Sequence, residues 1–266
     1  MIRQKTRTLL KDNWIFYLTG AALVLGLKYF YSQADADELK WILTPTSRWV
    51  SILSGLSFEY MPHTGFVNHD IRFIIASSCS GVQFMLIAIA TLIFSFVHRI
   101  SSGRGRGRLL KGACWSAFSI ISSYLFTIFV NGLRIVLSIY LPDTLVKLGF
   151  AYEKWLSPRT LHTLIGTVTY FSFLLVLYRL ADLLTDRDLQ THSTPKRPYL
   201  SLLARCIPPL FWYFSIVLGI PFLNRAWQRD YKKFADYAVL VTGVCLLIFL
   251  MCCLVLVTRT RRKELS

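Results

Sequence analysis

Three short segments of this chain carry side chains that can do chemistry together. The first is Ser77-Ser78-Cys79-Ser80-Gly81, placed just before an apolar run. Serines there act as helix N-caps, so the sequence puts Cys79 in a first helical turn. Free backbone N–H groups and the positive helix end favour a thiolate at that position. Gly81 leaves room for another backbone to approach. The second segment is Ser157-Pro158-Arg159-Thr160-Leu161-His162. Ser followed by Pro is an N-cap and N1 pair, which sets His162 about one turn into a helix. Its imidazole can take the proton of a thiol. The third is Asn131-Gly132-Leu133-Arg134-Ile135. An Arg at a bilayer centre costs roughly 2.5–3.5 kcal/mol on insertion scales and much less near an interface. The Arg134 guanidinium can hold a developing oxyanion or a carboxylate. Asn131 can orient it, and Ser78 and Ser80 can donate hydrogen bonds at the same surface.

Each signal has a plain structural reading by itself. Cys79 can be an inert thiol at a small-residue helix start. His162 can be an interfacial imidazole bonded to a loop carbonyl. Arg134 can snorkel to lipid headgroups. The argument for a site rests on where the surrounding elements put all three.

Those elements are apolar. The 266 residues are 54% hydrophobic and 15% aromatic, with only 17% charged. An ordinary soluble domain has about 25% charged residues. The mean hydropathy is +0.48. This excludes a soluble globular enzyme, a disordered chain and a disulfide-rich secreted module. The six cysteines show no CxxC and no zinc-type spacing, so no metal or cofactor is expected. A net charge of +16 could suggest nucleic acid. The basic residues cluster between the apolar runs instead, as the positive-inside rule places them, so no nucleic-acid partner is expected.

A bilayer-crossing helix needs about 20 apolar residues. The chain reads as an all-α polytopic membrane protein with about six spans, at 14–31, 78–98, 112–134, 158–181, 203–223 and 237–257. The third span is expected to stop near Arg134, with 135–150 lying along the interface and Pro142 ending the apolar run. Basic clusters at Arg3 to Lys11, Arg99 to Lys111 and Arg259 to Lys263 put both termini in the cytoplasm. The segment 224–236 is basic too and pulls against this for the last two spans. The first span reads as an uncleaved anchor, with Ala34-Asp35-Ala36 as the signal-peptide alternative. Loop 32–77 then faces outward. Within it, 41–61 suits an interfacial helix, and Phe66-Val67 with Ile71 to Ile75 suits a short hairpin. His63 and His69 are read as solvated loop residues able to supply a base. The chain divides into a four-span core at 1–181, a polar cytoplasmic linker at 182–199 and a two-span extension at 200–266.

With this topology, three helices of alternating direction bring Cys79, Arg134 and His162 to one depth at the outer surface. That is a nucleophile, an electrostatic stabiliser and a base. The order of Cys79 in SCSGVQF, Arg134 in NGLRI and His162 opening an apolar helix resembles the exosortase/archaeosortase family, over about residues 14–181. It looks closest to compact members such as exosortase K. The resemblance implies a cysteine endopeptidase or transpeptidase with Cys79, Arg134 and His162 as catalytic residues. The implied partners are membrane lipid and exported proteins with a C-terminal transmembrane sorting tail, of the PEP-CTERM kind. The implied location is the cytoplasmic (inner) membrane, with the site facing the periplasm or exterior. Many family members carry more spans before the cysteine, whereas this chain has one.

Rival classes fare less well. A glutamate-type intramembrane protease needs Glu on a span, and Glu38, Glu59, Glu153 and Glu264 all fall in loops or the tail. A lipid phosphatase needs a second His and its basic motif. A transporter would have broken helices in two related halves, and no halves correspond. A non-enzymatic scaffold of a surface-polysaccharide or export system would tolerate loss of Cys79.

Overall fold

The structure, a computed structural model, describes residues 2–101, 106–149, 157–186 and 207–265. Most of the polar linker, Cys206, the start of the Gly103–Arg108 loop and residues 150–156 lie outside the described residues.

The described chain is helical, with one small sheet. In order it forms α1 (Ile2–Gln33), α2 (Lys40–Ser54), β1 (Glu59–Met61), β2 (Gly65–Asn68), β3 (Phe73–Ile75), α3 (Val82–Ile100), α4 (Arg106–Lys147) and α5 (Pro158–Asp186). Then come α6 (Ile207–Leu223), α7 (Ala226–Arg229) and α8 (Tyr231–Leu265). Five helices contain stretches long and apolar enough to cross a membrane: Asp12–Gln33, Ser77–Ile100, Arg106–Lys147, Pro158–Thr185 and Tyr231–Val255. Helix α6, over the expected fifth span, is a shorter apolar helix. The stretch in α8 has the highest hydropathy of the five, 3.0, yet only 11% of it is buried. Water would penalise that surface heavily and hydrocarbon would not, so the chain is a helical membrane protein.

Contacts divide the chain into two units. One joins Met1–Ala21, Ile87–Ser119 and Phe171–Ser266; the other joins Ala22–Leu86 and Ile120–Tyr170.

In the first unit, Phe96 is fully buried between Trp115 (6.0 Å between ring centroids) and Tyr178 (4.9 Å). Asp182 is 1% exposed and accepts from Arg99 (2.9 Å) and Arg179 (3.2 Å), which satisfies its charge. Helix α6 widens into a π turn at Ser215–Gly219. Pro221 follows, whose ring crowds the carbonyl of Val217 four residues earlier.

In the second unit, the sheet runs β1-β2-β3, antiparallel throughout. Tyr60 pairs with Phe66, and Phe66 with Ile75. All four residues of β2 are buried. Gly65 is required where β2 begins: its φ is +116°, and a Cβ there would lie 2.4 Å from the Ile75 carbonyl oxygen. Asn68, buried, donates to the Ser57 carbonyl (2.7 Å) and accepts from Ile71 N–H (3.0 Å), closing the turn into β3. The expected hairpin is thus present, with β1 added. The expected single helix over 41–61 is corrected. It stops at Ser54 because Gly55 takes a left-handed C-cap, φ +72°, and the chain turns into β1.

Helix α2 runs alongside α4 in the same direction. Trp41 stacks on Tyr124 (5.8 Å), whose hydroxyl donates to the Trp41 carbonyl. Further along, Trp49 Nε1–H donates to the Phe129 carbonyl (3.3 Å). Beyond that, Tyr140 donates to the Ser54 carbonyl (2.9 Å). Contact order is the same on both helices.

Two further expectations are corrected. Helix α4 does not end near Arg134 but continues through Pro142 to Lys147, for 42 residues. Proline removes one i→i−4 bond there, and the helix on either side carries on. The serines 77 and 78 do not cap an α-helix. Ser77–Cys79 is a 3₁₀ turn, Gly81 turns left-handed at φ +76°, and α3 starts at Val82.

Candidate functional site

Cys79, Asn131, Arg134, His162 and Ser80 come together within the second unit. Each is held by a different local device.

Cys79 lies in the 3₁₀ turn, half-buried, with its N–H bonded to the Ala76 carbonyl (2.8 Å). Its N–H is therefore spent inside the turn, and the expected first-turn helix position is replaced by a turn before the helix. The left-handed residue after it must be glycine: a Cβ on Gly81 would lie 2.9 Å from Asn131 Cγ. The approach made possible by Gly81 is thus that of a side chain. Asn131 Nδ2 donates to the Cys79 carbonyl oxygen at 2.6 Å, tying the Cys79 turn to α4.

Arg134 is one helical turn beyond Asn131 and only 8% exposed. Its guanidinium interacts electrostatically with Cys79 and Tyr170. Nη1 points at Asn131 Oδ1 (3.5 Å), and Nη2 donates to His162 Nε2 (2.5 Å). Nε, buried, has no hydrogen-bond partner among the described residues. It faces Gly166, where a Cβ would sit 3.4 Å away.

Helix α5 begins at Pro158 with Ser157 as its cap: Ser157 Oγ accepts from Thr160 N–H at 3.1 Å. The Ser-Pro pair in the sequence predicts this start. His162, Gly166 and Tyr170 then form an i, i+4, i+8 row on one helix face. Arg134 lies across that row, with the small Gly166 in the middle. Tyr170 stacks on Phe84 (4.9 Å), and its ring sits 5.5 Å from the Arg134 guanidinium carbon.

A guanidinium has donors only. His162 Nε2 must therefore accept, which leaves the imidazole neutral with its proton on Nδ1. Among the described residues no hydrogen bond joins Cys79 to His162; Arg134 interacts with both. His162 is exposed on its outer side.

Ser80 is buried, and its Oγ faces Val82 N–H (3.5 Å) and the Tyr31 hydroxyl. Ser78 is exposed and, among the described residues, makes no hydrogen bond to the cluster. Tyr31, Tyr170 and Gly166 escape a reading of motifs. The signal for the last two was the four-residue spacing from His162. Tyr31 is polar at the end of the first apolar helix, with no nearby motif to single it out.

A second polar group joins the turn between α1 and α2 to the turn between β1 and β2. Asp35, Asp37 and His63 bring carboxylate and imidazole atoms within 4.8 Å of one another. Their hydrogen bonds already account for them. Asp35 Oδ1 accepts from Asp37 N–H (2.9 Å) and Glu38 N–H (3.0 Å). Asp37 accepts from the Tyr60 hydroxyl and His63 N–H. His63 Nδ1 bonds Asp35 Oδ2 at 3.0 Å. That bond, with the charge of Asp37 added, raises the His63 pKa above its ordinary value; the same bond, with the backbone N–H groups of Glu38 and Asp37, lowers that of Asp35. The group fastens the turn between α1 and the sheet.

Comparison with protein-family models, with curated proteins and with solved structures gave no match.

Proposed function

We propose that this chain is a membrane-embedded cysteine endopeptidase or transpeptidase of the exosortase/archaeosortase kind. It removes the C-terminal sorting tail of exported proteins at the outer face of the cytoplasmic membrane. Helix α6 serves as a short sixth crossing beside the five longer ones, both termini are cytoplasmic, and the site faces outward. The observation that carries this reading is Arg134: a buried cation bonded to an imidazole and interacting electrostatically with a thiol. A purely structural arginine of this depth would be expected to meet a carboxylate. This one meets a nucleophile and a base.

In the proposed reaction the substrate tail lies in the bilayer and presents its scissile peptide to Cys79. The peptide carbonyl oxygen replaces His162 as the acceptor of an Arg134 N–H. That exchange frees the Nε2 lone pair of His162, which takes the thiol proton. The Cys79 sulfur attacks the carbonyl carbon, and Arg134 holds the oxyanion. The C–N bond breaks, His162 returns the proton to the leaving amine, and a thioester remains on Cys79. An acceptor amine or water then attacks the thioester, and the sulfur leaves.

The test compares the C-termini of exported proteins in cells carrying native protein or Cys79→Ala at equal abundance. Tails retained only in the mutant support the assignment. Identical C-termini, with tailed proteins detected in both strains, defeat it and favour a scaffold or transporter.

A further inference from the structure

The hydrogen bonds behind Cys79 run in one direction only. The Cys79 carbonyl oxygen is an acceptor, so the Asn131 atom facing it at 2.6 Å must be the amide nitrogen. The Asn131 amide oxygen therefore points the other way, toward the Tyr170 hydroxyl at 2.7 Å. That hydroxyl has one proton and must donate it to Asn131. Its lone pairs remain free to accept from Arg134, whose guanidinium carbon lies 5.5 Å from the ring. The same phenol thus sets the amide that anchors the nucleophile's turn and the guanidinium that faces the nucleophile.

Resting on the cysteine-enzyme reading above, we propose that Tyr170 is a positioning residue: acting through Asn131, it holds the Cys79 turn and the Arg134 guanidinium in a single mutual geometry. No group with only a donor or only an acceptor can do both. Without the phenolic O–H, Asn131 Oδ1 keeps only the 3.5 Å approach of Arg134. The amide can then flip, and a flipped amide sets oxygen against the Cys79 carbonyl. Among the described residues, the Asn131 amide is the one hydrogen-bond donor from α4 to the Cys79 carbonyl.

Tyr170→Phe removes this relay while keeping the ring against Phe84 and under the Arg134 cation. The measurement is the rate of Cys79 alkylation by iodoacetamide at neutral pH in the full-length protein, resolved by peptide mass spectrometry. The exposed Cys114 serves as internal reference. Tyr170→Phe is expected to slow Cys79 labelling about tenfold relative to Cys114, with the thermal midpoint held. Asn131→Ala is expected to slow it at least as much. The double variant is expected to match Asn131→Ala alone, because both remove one relay. Native labelling in Tyr170→Phe overturns the proposal, as do additive effects in the double variant. Should Tyr170→Phe fail to accumulate, native labelling in Asn131→Ala overturns it equally. Labelling needs no tail substrate. A native protein that cleaves no tail removes the sorting assignment and leaves this result standing.

Discussion

Arg134 Nη2 donates to His162 Nε2, so the imidazole meets the site as a neutral acceptor. Arg134 is the group shared by the three residues picked out in the sequence, because it also interacts electrostatically with Cys79.

Replacing Arg134 by Lys keeps the charge and loses the fork. One ammonium cannot reach Cys79, His162 and Tyr170 from a fixed plane. Tail removal is expected to fall on the order of 10²–10³-fold, as when an oxyanion donor is lost. Mass spectrometry of exported C-termini over time reads this directly, and a rate within a few-fold of native would remove Arg134 from the chemistry.

Gly81→Ala is expected to be costly twice. Its φ of +76° strains any L side chain, and its Cβ would meet Asn131 at 2.9 Å. Gly55→Ala is the control: φ is +72° and nothing lies within 4 Å. Backbone strain of about 1–3 kcal/mol is common to both. Only Gly81→Ala should also slow Cys79 alkylation. Equal labelling in the two variants would show that Asn131 yields freely.

Gly132→Ala puts a methyl group 2.3 Å from Trp49 Cδ1. Overpacking of this kind costs about 1–3 kcal/mol. Trimming the indole in Gly132→Ala/Trp49→Leu should recover part of the loss. A double-mutant cycle on thermal midpoints in detergent measures the coupling, and strict additivity would mean that α2 moves aside instead.

The Asp35–His63 contact makes the segment between α1 and α3 sensitive to pH, and its sign is fixed. The raised His63 pKa contributes stability fully below the ordinary histidine value, and this is lost as pH rises through the raised one. The lowered Asp35 pKa contributes above the ordinary carboxylate value, and this is lost as pH falls through the lowered one. Both are complete between roughly pH 4 and 6.5, the two ordinary values. Asp35→Asn should bring the His63 midpoint down in an NMR titration. An unmoved midpoint would mean that Asp37 alone sets it.

Asp182→Asn leaves Arg99 and Arg179 without their shared carboxylate, which is 1% exposed. Breaking a buried pair from one side costs about 3–5 kcal/mol. Arg99 and Arg179 are themselves partly exposed, so the low end applies. A thermal midpoint unchanged in detergent would show the arginines rehydrate.

Apolar periodicity and length made the helices legible, because a bilayer leaves few other ways to satisfy a backbone. The cap at Ser157-Pro158 and the turn chemistry at Asn68 were legible for the same local reasons. Pro142 misled because it is a weaker stop inside a long helix than it is alone. Ser77 and Ser78 misled because the left-handed Gly81 delays the helix, and that conformation answers to Asn131, fifty residues away in sequence. Cys79, Arg134 and His162 stood out as rare chemistry in apolar surroundings. Tyr170 and Gly166 did not, since their roles exist only once α4 lies against the face of α5.

The left-handed residue between Cys79 and α3 also has a mechanical meaning. Cys79 is bolted by its carbonyl to Asn131 on α4, while Gly81 acts as a universal joint toward the helix that follows in sequence. The Cys79 turn is thus tied to the helix that carries Arg134 while the chain changes direction at Gly81, so the orientation of the turn answers to α4 rather than to the start of α3.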